Sequence, residues 1–429
     1  MKIIEAGEFE EYWKGLGASG DDETVEAMVR DVISAVRLEG DSAIRRFASR
    51  WDRSSPEVLE VPLPAAEAEL ARLRVQEARL VGALEYSREN IRRFAQFQRA
   101  QIQDFEVEID GGLFTGQRAV PVRRAAVYVP AGRFPLVSTV LMGLVPAAVA
   151  GVTETVLLSP PLEDGLPDRR ILAAAALAGV HRIFAVGGAQ AIAAAALGTE
   201  TIPRSDVVVG PGNRFVAAAK RLLYGTVGID FVAGPTDVLV IADGSASPDL
   251  VAADLLAQAE HDAEARARAL VPNREFAQRL AAALDRRLAD LPTAEIVRAS
   301  LDAGGAAIIY GDPSEARRIA DAVAPEHLEL QVADAESWVP LLRNYGSLFI
   351  GSRSAEALGD YSAGINHTLP TSGSARFTGG LSVRHFIKIL TTLRCTEGEG
   401  FTRARDAALV LAQAEGLAAH GRSAQARSL

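Results

Sequence analysis

The sequence predicts an α/β fold in which mostly parallel sheets are covered by helices. Two observations carry this prediction. From residue 125 onward, short β-branched runs alternate with segments rich in Ala and Leu, whereas before that point apolar residues recur at helical spacing. The alternation is typical of βαβ units, and the helical spacing indicates helices alone. Because domains usually contain about 100 to 200 residues, a chain of 429 residues is expected to form two or three folding units.

The elements follow in chain order. Residues 24–50 and 64–103 are predicted to be helical. Eight strand-like runs come next: AAVYVP, TETVLLSP, RIFAV, DVVVG, DVLVIAD, AAIIYG, HLELQV and SLFIG. The apolar stretch 137–152 is broken by glycine and proline and is too short to span a bilayer, so it predicts a buried helix. After residue 383 comes one more strand-like run, VRHFIKILTTLRC, and then a helix at about 402–418.

The alternating region divides into two domains. The blocks beginning ETVLLSPP and DVLVIADG each contain a strand, a turn with proline and an Ala/Leu helix, a similarity that is either chance or duplication. If the similarity reflects duplication, we expect two related α/β domains, one at about 108–233 and one beginning near 234. Residues 1–23 and 383–429 are predicted to be small, mainly helical appendages, the second with too few apolar positions to form a core alone.

Composition excludes several classes of protein. The net charge of -10 argues against nucleic acid as a partner. No apolar run reaches the roughly 18 residues of a membrane span, and the first residues lack a signal-peptide pattern. The single cysteine, Cys395, excludes an internal disulfide and fits a reducing compartment, so we expect a cytoplasmic protein without membrane contact. A metal would have to use His, Asp, Glu or amide ligands.

Three glycine turns indicate where an anion could bind. No GxGxxG motif follows a predicted strand, so the expected Rossmann-like domains lack the usual dinucleotide fingerprint. Each of the turns VPAGRFPL, VGGAQAI and VGPGNRF nevertheless ends a strand, and the N–H groups of a following helix would be free for an anion. One such turn alone is usually just a turn. Three in consecutive units favour a phosphate-bearing ligand.

Two short motifs carry groups suited to catalysis or to metal binding. Gln258 and His261 are three apart, which places both on one face of a helix, where an amide oxygen and an imidazole can bind zinc. Glu326 and His327 stand together at the entrance to a strand, where they could act as a base and a second proton carrier. On local pattern alone, chance spacing for the first pair and a solvated surface position for the second are the more common interpretations.

Two further segments contain candidate site residues. The polar, glycine-rich segment ALGDYSAGINHTLPT brings Asp360 and His367 into one loop. The segment AEGLAAH contains Glu415 and His420, which would point about 140° apart on an ideal helix. These two residues can serve one site only if the helix loosens at Gly416 or stops soon after it.

Taken together and in this order, the segments resemble the histidinol dehydrogenase family along nearly the whole chain. The resemblance rests on YVPAGRFPLVSTVLM, GGAQAIAAAALGTETIP, GPGNRFVAAAKR, AGPTDVLVIAD, DLLAQAEHD, APEHLEL, GDYSAGINHTLPT and AEGLAAH. It implies a zinc-dependent enzyme that oxidises a small amino alcohol, L-histidinol, to L-histidine through the aldehyde with two NAD. It also implies a homodimer whose active site is shared between subunits. It further implies that 108–233 form an α/β nucleotide-binding domain and that 24–107 with 234–382 form an α/β catalytic domain.

The same resemblance implies a role for individual residues. The implied zinc ligands, the last contributed by the partner subunit of a domain-swapped homodimer, are Gln258, His261, Asp360 and His420. The implied catalytic pair is His327, as base for the alcohol step, and Glu326, which activates water for the aldehyde step. The implied NAD contacts are Tyr128, Gln190 and Asn213. Substrate contacts would be Thr236, His367 and Glu415 together with Gln258, His261, His327, Asp360 and His420.

The chain departs from the family pattern at three positions. Arg133 and Phe134 replace a second glycine and a small residue, and Thr236 stands where Ser is usual. The segments NHTLPT and SARFTGGLSV also partly resemble paralogues that oxidise other small alcohols, such as sulfonated propanediols. Three alternatives therefore stay open: a dehydrogenase of another small alcohol with Arg133 as anion partner, a zinc hydrolase using Glu326 without a cofactor, and a non-enzymatic metabolite-binding relative.

Overall fold

A computed structural model describes residues 1–15, 22–131 and 135–427. Within these ranges the strands are β1 Lys2–Glu5, β2 Glu60–Val61, β3 Phe105–Asp110, β4 Leu113–Pro121, β5 Arg124–Tyr128, β6 Glu154–Ser159, β7 Arg182–Ala185, β8 Val207–Val209, β9 Gly228–Ile229, β10 Asp237–Ala242, β11 Arg266–Val271, β12 Ala306–Ile309, β13 His327–Gln331, β14 Ser347–Ile350 and β15 Ile387–Cys395. The α-helices are α1 Phe9–Gly15, α2 Asp22–Glu39, α3 Asp41–Trp51, α4 Leu63–Gln76, α5 Ala78–Ala100, α6 Val137–Ala150, α7 Arg169–Ala178, α8 Gly188–Leu197, α9 Arg214–Leu223, α10 Pro248–Ala259, α11 Arg274–Leu288, α12 Ala294–Gly304, α13 Pro313–Val323, α14 Ala335–Trp338, α15 Glu356–Tyr361, α16 Glu399–Ala414 and α17 Ala418–Gln425.

Two six-stranded sheets share one strand order, which confirms the predicted fold class. The first sheet runs β2-β7-β6-β5-β8-β9 and the second runs β1-β12-β11-β10-β13-β14. Apart from the edge strands β2 and β1, which come earlier in the chain, each sheet starts at a central strand, β5 or β10. The chain then moves outward by two strands and crosses to the other side, as in doubly wound folds. The two blocks compared in the sequence begin at β6 and β10, which hold different places in their sheets. The equivalent strands are β5 and β10.

The predicted allocation of residues 24–107 to the catalytic domain is corrected by the packing. Val29 and Phe47, from helices α2 and α3, share a core cluster with Ala126 of β5 on one face of the first sheet. On the other face, Leu73 and Ile91, from α4 and α5, pack into the cluster that contains Val127 and Leu157. Helical spacing shows that a face is buried but does not show which sheet covers it, so the sequence pattern could not assign these helices.

The first fifteen residues are also integrated into a domain and are not an appendage. Strand β1 pairs in parallel with β12 at the edge of the second sheet. Ala6 and Phe9 are buried in the same core cluster as Leu239 and Ile241 of the central strand β10. Residues 1–15 therefore belong to the second domain, together with strands β10 to β14.

The C-terminal segment joins a small third sheet. Strand β15 pairs antiparallel with β4, which pairs with β3. Exposed apolar side chains on β3 and β15 include Val107, Ile109 and Leu393. The single helix expected at 402–418 is instead two helices, because α16 ends at Ala414 and α17 begins at Ala418. Gly416 lies between them with a left-handed φ of 74°, so the helix is interrupted where the sequence analysis required it to be for Glu415 and His420 to serve one site.

Helix α6 occupies the apolar stretch that the sequence predicted to be a buried helix. Its residues include Leu141, Met142 and Leu144, each with no exposed surface. The helix packs between α5 and α7 on the first sheet. Within the described ranges, no helix combines the length and the apolar character needed to cross a membrane.

Candidate active site

The candidate catalytic carboxyl group lies at the amino ends of two neighbouring strands. Strands β10 and β13 run in parallel, with Val238 opposite His327, so the residues just before them meet at one edge of the second sheet. Thr236 Oγ1 donates to Glu326 Oε2 at 2.5 Å, and the backbone N–H of Asp237 donates to the same oxygen at 3.1 Å. Two donors therefore fix the carboxyl group of Glu326, which is 6% exposed.

His327 lies beside Glu326 between two carboxyl groups of helix α15. Its Nδ1 is 3.7 Å from Glu356 Oε1, and its Nε2 is 3.4 Å from Asp360 Oδ1. The ring is 3% exposed. Among the described residues, neither ring nitrogen has a partner with good hydrogen-bond geometry. A buried imidazole whose ring nitrogens are not hydrogen-bonded can accept a proton or bind a ligand.

Burial and mutual charge shift the pKa values of this cluster. Burial raises the pKa of Glu326 to about 7, although His327 and the Thr236 hydroxyl lower it. Burial also raises the pKa of Glu356 to about 8. Desolvation disfavours the imidazolium of His327, but Glu356, Glu326 and Asp360 together raise its pKa well above the ordinary value. Proton-transfer groups are thus poised near and above neutral pH.

Three side chains converge on a place where a cation could bind. One ligand atom from each of His261, Glu356 and Asp360 lies within 4.8 Å of the others. We call these three residues the ligand cluster. His261 is exposed, whereas Glu356 and Asp360 are buried, so the cluster opens toward solvent on one side. The expected placement of Gln258 and His261 on one helix is corrected: α10 ends at Ala259, and His261 follows in a turn in which its N–H donates to the Gln258 carbonyl at 3.3 Å.

The side-chain amide of Gln258 lies between Thr236 and Glu356. In one orientation its nitrogen donates to Thr236 Oγ1 at 2.5 Å, and its oxygen then faces the ligand cluster. In the other, its nitrogen donates to both carboxyl oxygens of Glu356, and its oxygen accepts from the N–H of Asp237 at 3.2 Å and from the Thr236 hydroxyl at 2.5 Å, which then no longer donates to Glu326. The first orientation brings two acceptors together at Glu356, an arrangement that a cation would satisfy. The donor set of an amide, an imidazole and carboxylates therefore fits zinc.

His367 connects this cluster to the first domain. Its Nδ1 is 2.9 Å from the backbone oxygen of Asp360, and its Nε2 is 3.0 Å from Thr139 Oγ1. Thr139 lies in the first turn of α6, which follows β5 of the first sheet. The candidate site thus lies where the two domains meet.

A cleft of about 610 Å³ opens at the carboxyl edge of the first sheet, lined by Tyr128, Gln190 and Asn213 among others. Tyr128 ends β5, and its hydroxyl oxygen accepts from the N–H of Gly188 at 3.2 Å. Asn213 caps α9, where its Oδ1 accepts from two backbone N–H groups. Helix α8 begins at Gly188, so two helix N-termini face the cleft, which favours an anion. The sequence departures Arg133 and Phe134 lie outside the described residues.

Asp52 is a cleft residue that the sequence did not indicate. Gln190 Nε2 donates to Asp52 Oδ2 at 3.4 Å. Burial raises the pKa of Asp52 to about 6. The Gln190 side-chain oxygen is buried and has no hydrogen-bond partner among the described residues. A donor from a bound ligand would satisfy this oxygen, so the cleft fits a nucleotide with an amide or hydroxyl donor.

Glu415 and His420 lie apart from the ligand cluster of their own chain. Both are exposed, Glu415 just after α16 and His420 in α17. The two helices pack against each other, and α16 packs on β3 of the third sheet. The structure therefore brings together Gln258, His261, Glu326, His327 and Asp360, but not the two C-terminal candidates.

Comparison with known proteins agrees with the geometry. The sequence pattern of the histidinol dehydrogenase family matches residues 17–428. Histidinol dehydrogenase of Thermus thermophilus is 48% identical over 407 residues, covering 95% of each chain, and that of Pseudomonas aeruginosa is 45% identical over 412 residues, covering 96% of this chain and 92% of the other. The crystal structure of the Elizabethkingia anophelis enzyme superposes with a TM-score of 0.92 at 32% identity, over 100% of this chain and 98% of the other. The chain belongs to the histidinol dehydrogenase family. It is therefore an oxidoreductase.

One residue of this histidinol dehydrogenase site, Glu356, was not predicted although the sequence contained a readable signal for it. Glu356 stands four residues before Asp360, the spacing at which two side chains share one face of a helix. Helix α15 does place both beside His327. Asp52 had no comparable signal, because an acidic residue after a helix is common on any surface.

Proposed function

We propose that this enzyme oxidises L-histidinol to L-histidine through L-histidinaldehyde and reduces two NAD, as the last steps of histidine biosynthesis. The observation that carries the proposal is the buried pair Glu326 and His327 beside the ligand cluster, at the boundary with a domain that holds a nucleotide-sized cleft. The names of its relatives support the choice of alcohol.

The proposed zinc ligands are Gln258, His261 and Asp360, completed by His420 of the partner subunit. The proposed NAD contacts are Tyr128, Gln190 and Asn213. When bound, zinc would orient the imidazole and amine of the substrate, and NAD would accept hydride from the carbinol carbon. The remaining chemistry belongs to the side chains of this chain.

His327 is the proposed base of the alcohol step. It would take the proton from the substrate hydroxyl while the carbinol carbon gives up its hydride, which leaves the aldehyde. Glu356 and Asp360 on either side favour the protonated ring, so His327 holds the proton firmly once it has received it. The neutral ring that starts the step becomes more abundant as the pH rises.

Glu326 is the proposed base of the aldehyde step. It would take a proton from water as the water oxygen bonds to the aldehyde carbon. Loss of a hydride and of the remaining hydroxyl proton would then convert the hydrate to the carboxylate. Because burial raises the pKa of Glu326 to about 7, its ionised form increases as the pH rises through neutrality. Both bases therefore become more effective under mildly alkaline conditions.

We further propose that the active form is a homodimer in which Glu415 and His420 enter the site of the partner subunit. Exposed apolar residues on the third sheet, including Ile109 and Leu393, support an interface on the C-terminal part. The cytoplasm is the proposed location, because Cys395 is exposed and unpaired. Substrate contacts would come from Thr236 and His367 together with the proposed zinc ligands.

The stoichiometry of NADH tests the proposal. Purified protein should form two NADH per L-histidinol, lose this activity on zinc chelation and regain it when zinc returns. The Glu326→Gln variant should form one NADH per histidinol and release the aldehyde, whereas His327→Ala should form almost none. No turnover of histidinol would refute the proposed substrate and direct the assay to other small alcohols, including sulfonated ones. Turnover of a hydrolase substrate without NAD would refute the dehydrogenase chemistry.

A further inference from the structure

A buried ion pair lies beneath the glycine turn of the cleft. Lys220 is 2% exposed, and Asp230, with which it pairs, is 8% exposed. Lys220 is on α9, and Asp230 directly follows β9. Removing two charges from water is costly, so a buried pair needs further hydrogen bonds to offset its desolvation.

Those hydrogen bonds converge on Gly210. Lys220 Nζ donates to the Gly210 carbonyl oxygen at 3.0 Å, and Asp230 Oδ2 accepts from the Gly210 N–H at 2.8 Å. Gly210 is the first residue after β8, where the sheet hydrogen bonds stop, so both its polar groups need other partners. An apolar pair in place of Lys220 and Asp230 would leave both groups unpaired.

Gly210 in turn touches the residues that line the cleft. Its φ is 115°, and a Cβ there would collide with the backbone oxygen of Tyr128. Three residues later, Asn213 caps α9, the helix that carries Lys220. The ion pair, the turn and the helix therefore form a closed ring of contacts beneath the cleft.

We infer that the Lys220–Asp230 pair is a positioning device that sets the Gly210–Asn213 turn for nucleotide binding. The inference deepens the proposed function and rests on NAD being the ligand of the cleft. It assigns a role to two residues that do not line the cleft themselves. The pair acts through Gly210, so its loss should weaken nucleotide binding more than it slows the chemical steps.

Equilibrium binding of NAD to Lys220→Met, measured by calorimetry beside the wild type, tests this role. Lys220→Met leaves the Gly210 carbonyl and Asp230 without their buried partner, so we expect the Kd for NAD and the KM for NAD to rise by roughly tenfold to a hundredfold. The kcat at saturating NAD should fall less than threefold. Lys220→Arg should bind more tightly than Lys220→Met, because it keeps the charge and a donor.

Arg124→Met is the matched control. Arg124 forms a half-buried ion pair with Glu154 on the same sheet but at the opposite end of β5 from Tyr128. Its loss should lower thermal stability while leaving the Kd for NAD within about twofold of the wild type. If Lys220→Met does not fold, Asp230→Asn, which keeps an acceptor for Gly210, takes its place, and it should weaken NAD binding beyond the control.

The outcomes separate this inference from the proposed function. Wild-type protein that does not bind NAD would remove the proposed function and this inference with it. Wild-type protein that binds NAD while Lys220→Met binds it equally well would overturn the inference alone. Equal weakening in Lys220→Met and Arg124→Met would also overturn it, because the effect would then be general destabilisation.

Discussion

Replacing Thr236 with valine should move the pH dependence of aldehyde oxidation. The Thr236 hydroxyl is one of two donors to Glu326 Oε2, and it lowers the pKa that burial has raised to about 7. Valine keeps the shape of threonine and removes that donor. A hydrogen bond to a charged acceptor contributes about 1.5–3 kcal/mol, and one pKa unit corresponds to about 1.4 kcal/mol, so the pKa should rise by about one to two units.

The assay follows NADH formation from L-histidinaldehyde as a function of pH. If Glu326 must be ionised to activate water, a midpoint near 7 in the wild type should move to about 8–9 in Thr236→Val, with a rate at pH 7 roughly 5- to 50-fold lower. Thr236→Ser is the control, because serine keeps the hydroxyl and should leave the midpoint unchanged. A valine profile that coincides with the wild-type profile would refute the assignment of Glu326 as the water-activating base.

Three further predictions follow from other parts of the molecule. Mixed His420→Ala and His327→Ala subunits should regain about a quarter of wild-type activity, since half of the random dimers carry one intact shared site, and no recovery would exclude the shared site. Because the raised pKa of Asp52, about 6, makes ionisation unfavourable in the folded state, wild-type stability falls as the pH rises from about 4 to 6. The free energy of unfolding in urea should therefore rise for Asp52→Asn relative to wild type by about 1 kcal/mol between pH 5 and pH 8. A difference between the two proteins that does not change with pH would contradict burial of the Asp52 carboxyl as the cause. Gly210→Ala should lower the thermal midpoint far more than Gly179→Ala, since both residues have a positive φ but only at Gly210 would a Cβ collide with a neighbour. Equal decreases in the two thermal midpoints would show that the positive φ alone causes the loss of stability.

The sequence predicted the fold class and missed part of the packing for a definable reason. The change from period 3.6 to short β-branched runs near residue 125 marks the first true βαβ unit, and β5 begins at Arg124. The amphipathic pattern also predicted helices α2–α5, but it could not show which of the two sheets covers their buried faces. Strand β1 was missed as part of a sheet, since four half-exposed residues carry little pattern.

The residues of the candidate site were likewise predicted only in part. Glu326, His327 and Asp360 were singled out from the sequence, and the fold brings all three together. Glu356 was missed although its spacing from Asp360 was readable. The proposed role of His420 requires a second copy of the chain, which no local pattern reveals.

The two sheets have the same strand order but place their sites at opposite edges, and the connection between them explains why. Doubly wound sheets bind ligands at the carboxyl ends of their strands, where the cleft of the first sheet opens. The chain leaves that edge after Ile229, the end of β9, and enters the second sheet at Asp237, the start of β10. So short a connection brings the amino edge of the second sheet next to the carboxyl edge of the first. Groups that react with the nucleotide proposed for the first domain would therefore have to stand at the amino ends of β10 and β13, where Thr236 and Glu326 are found.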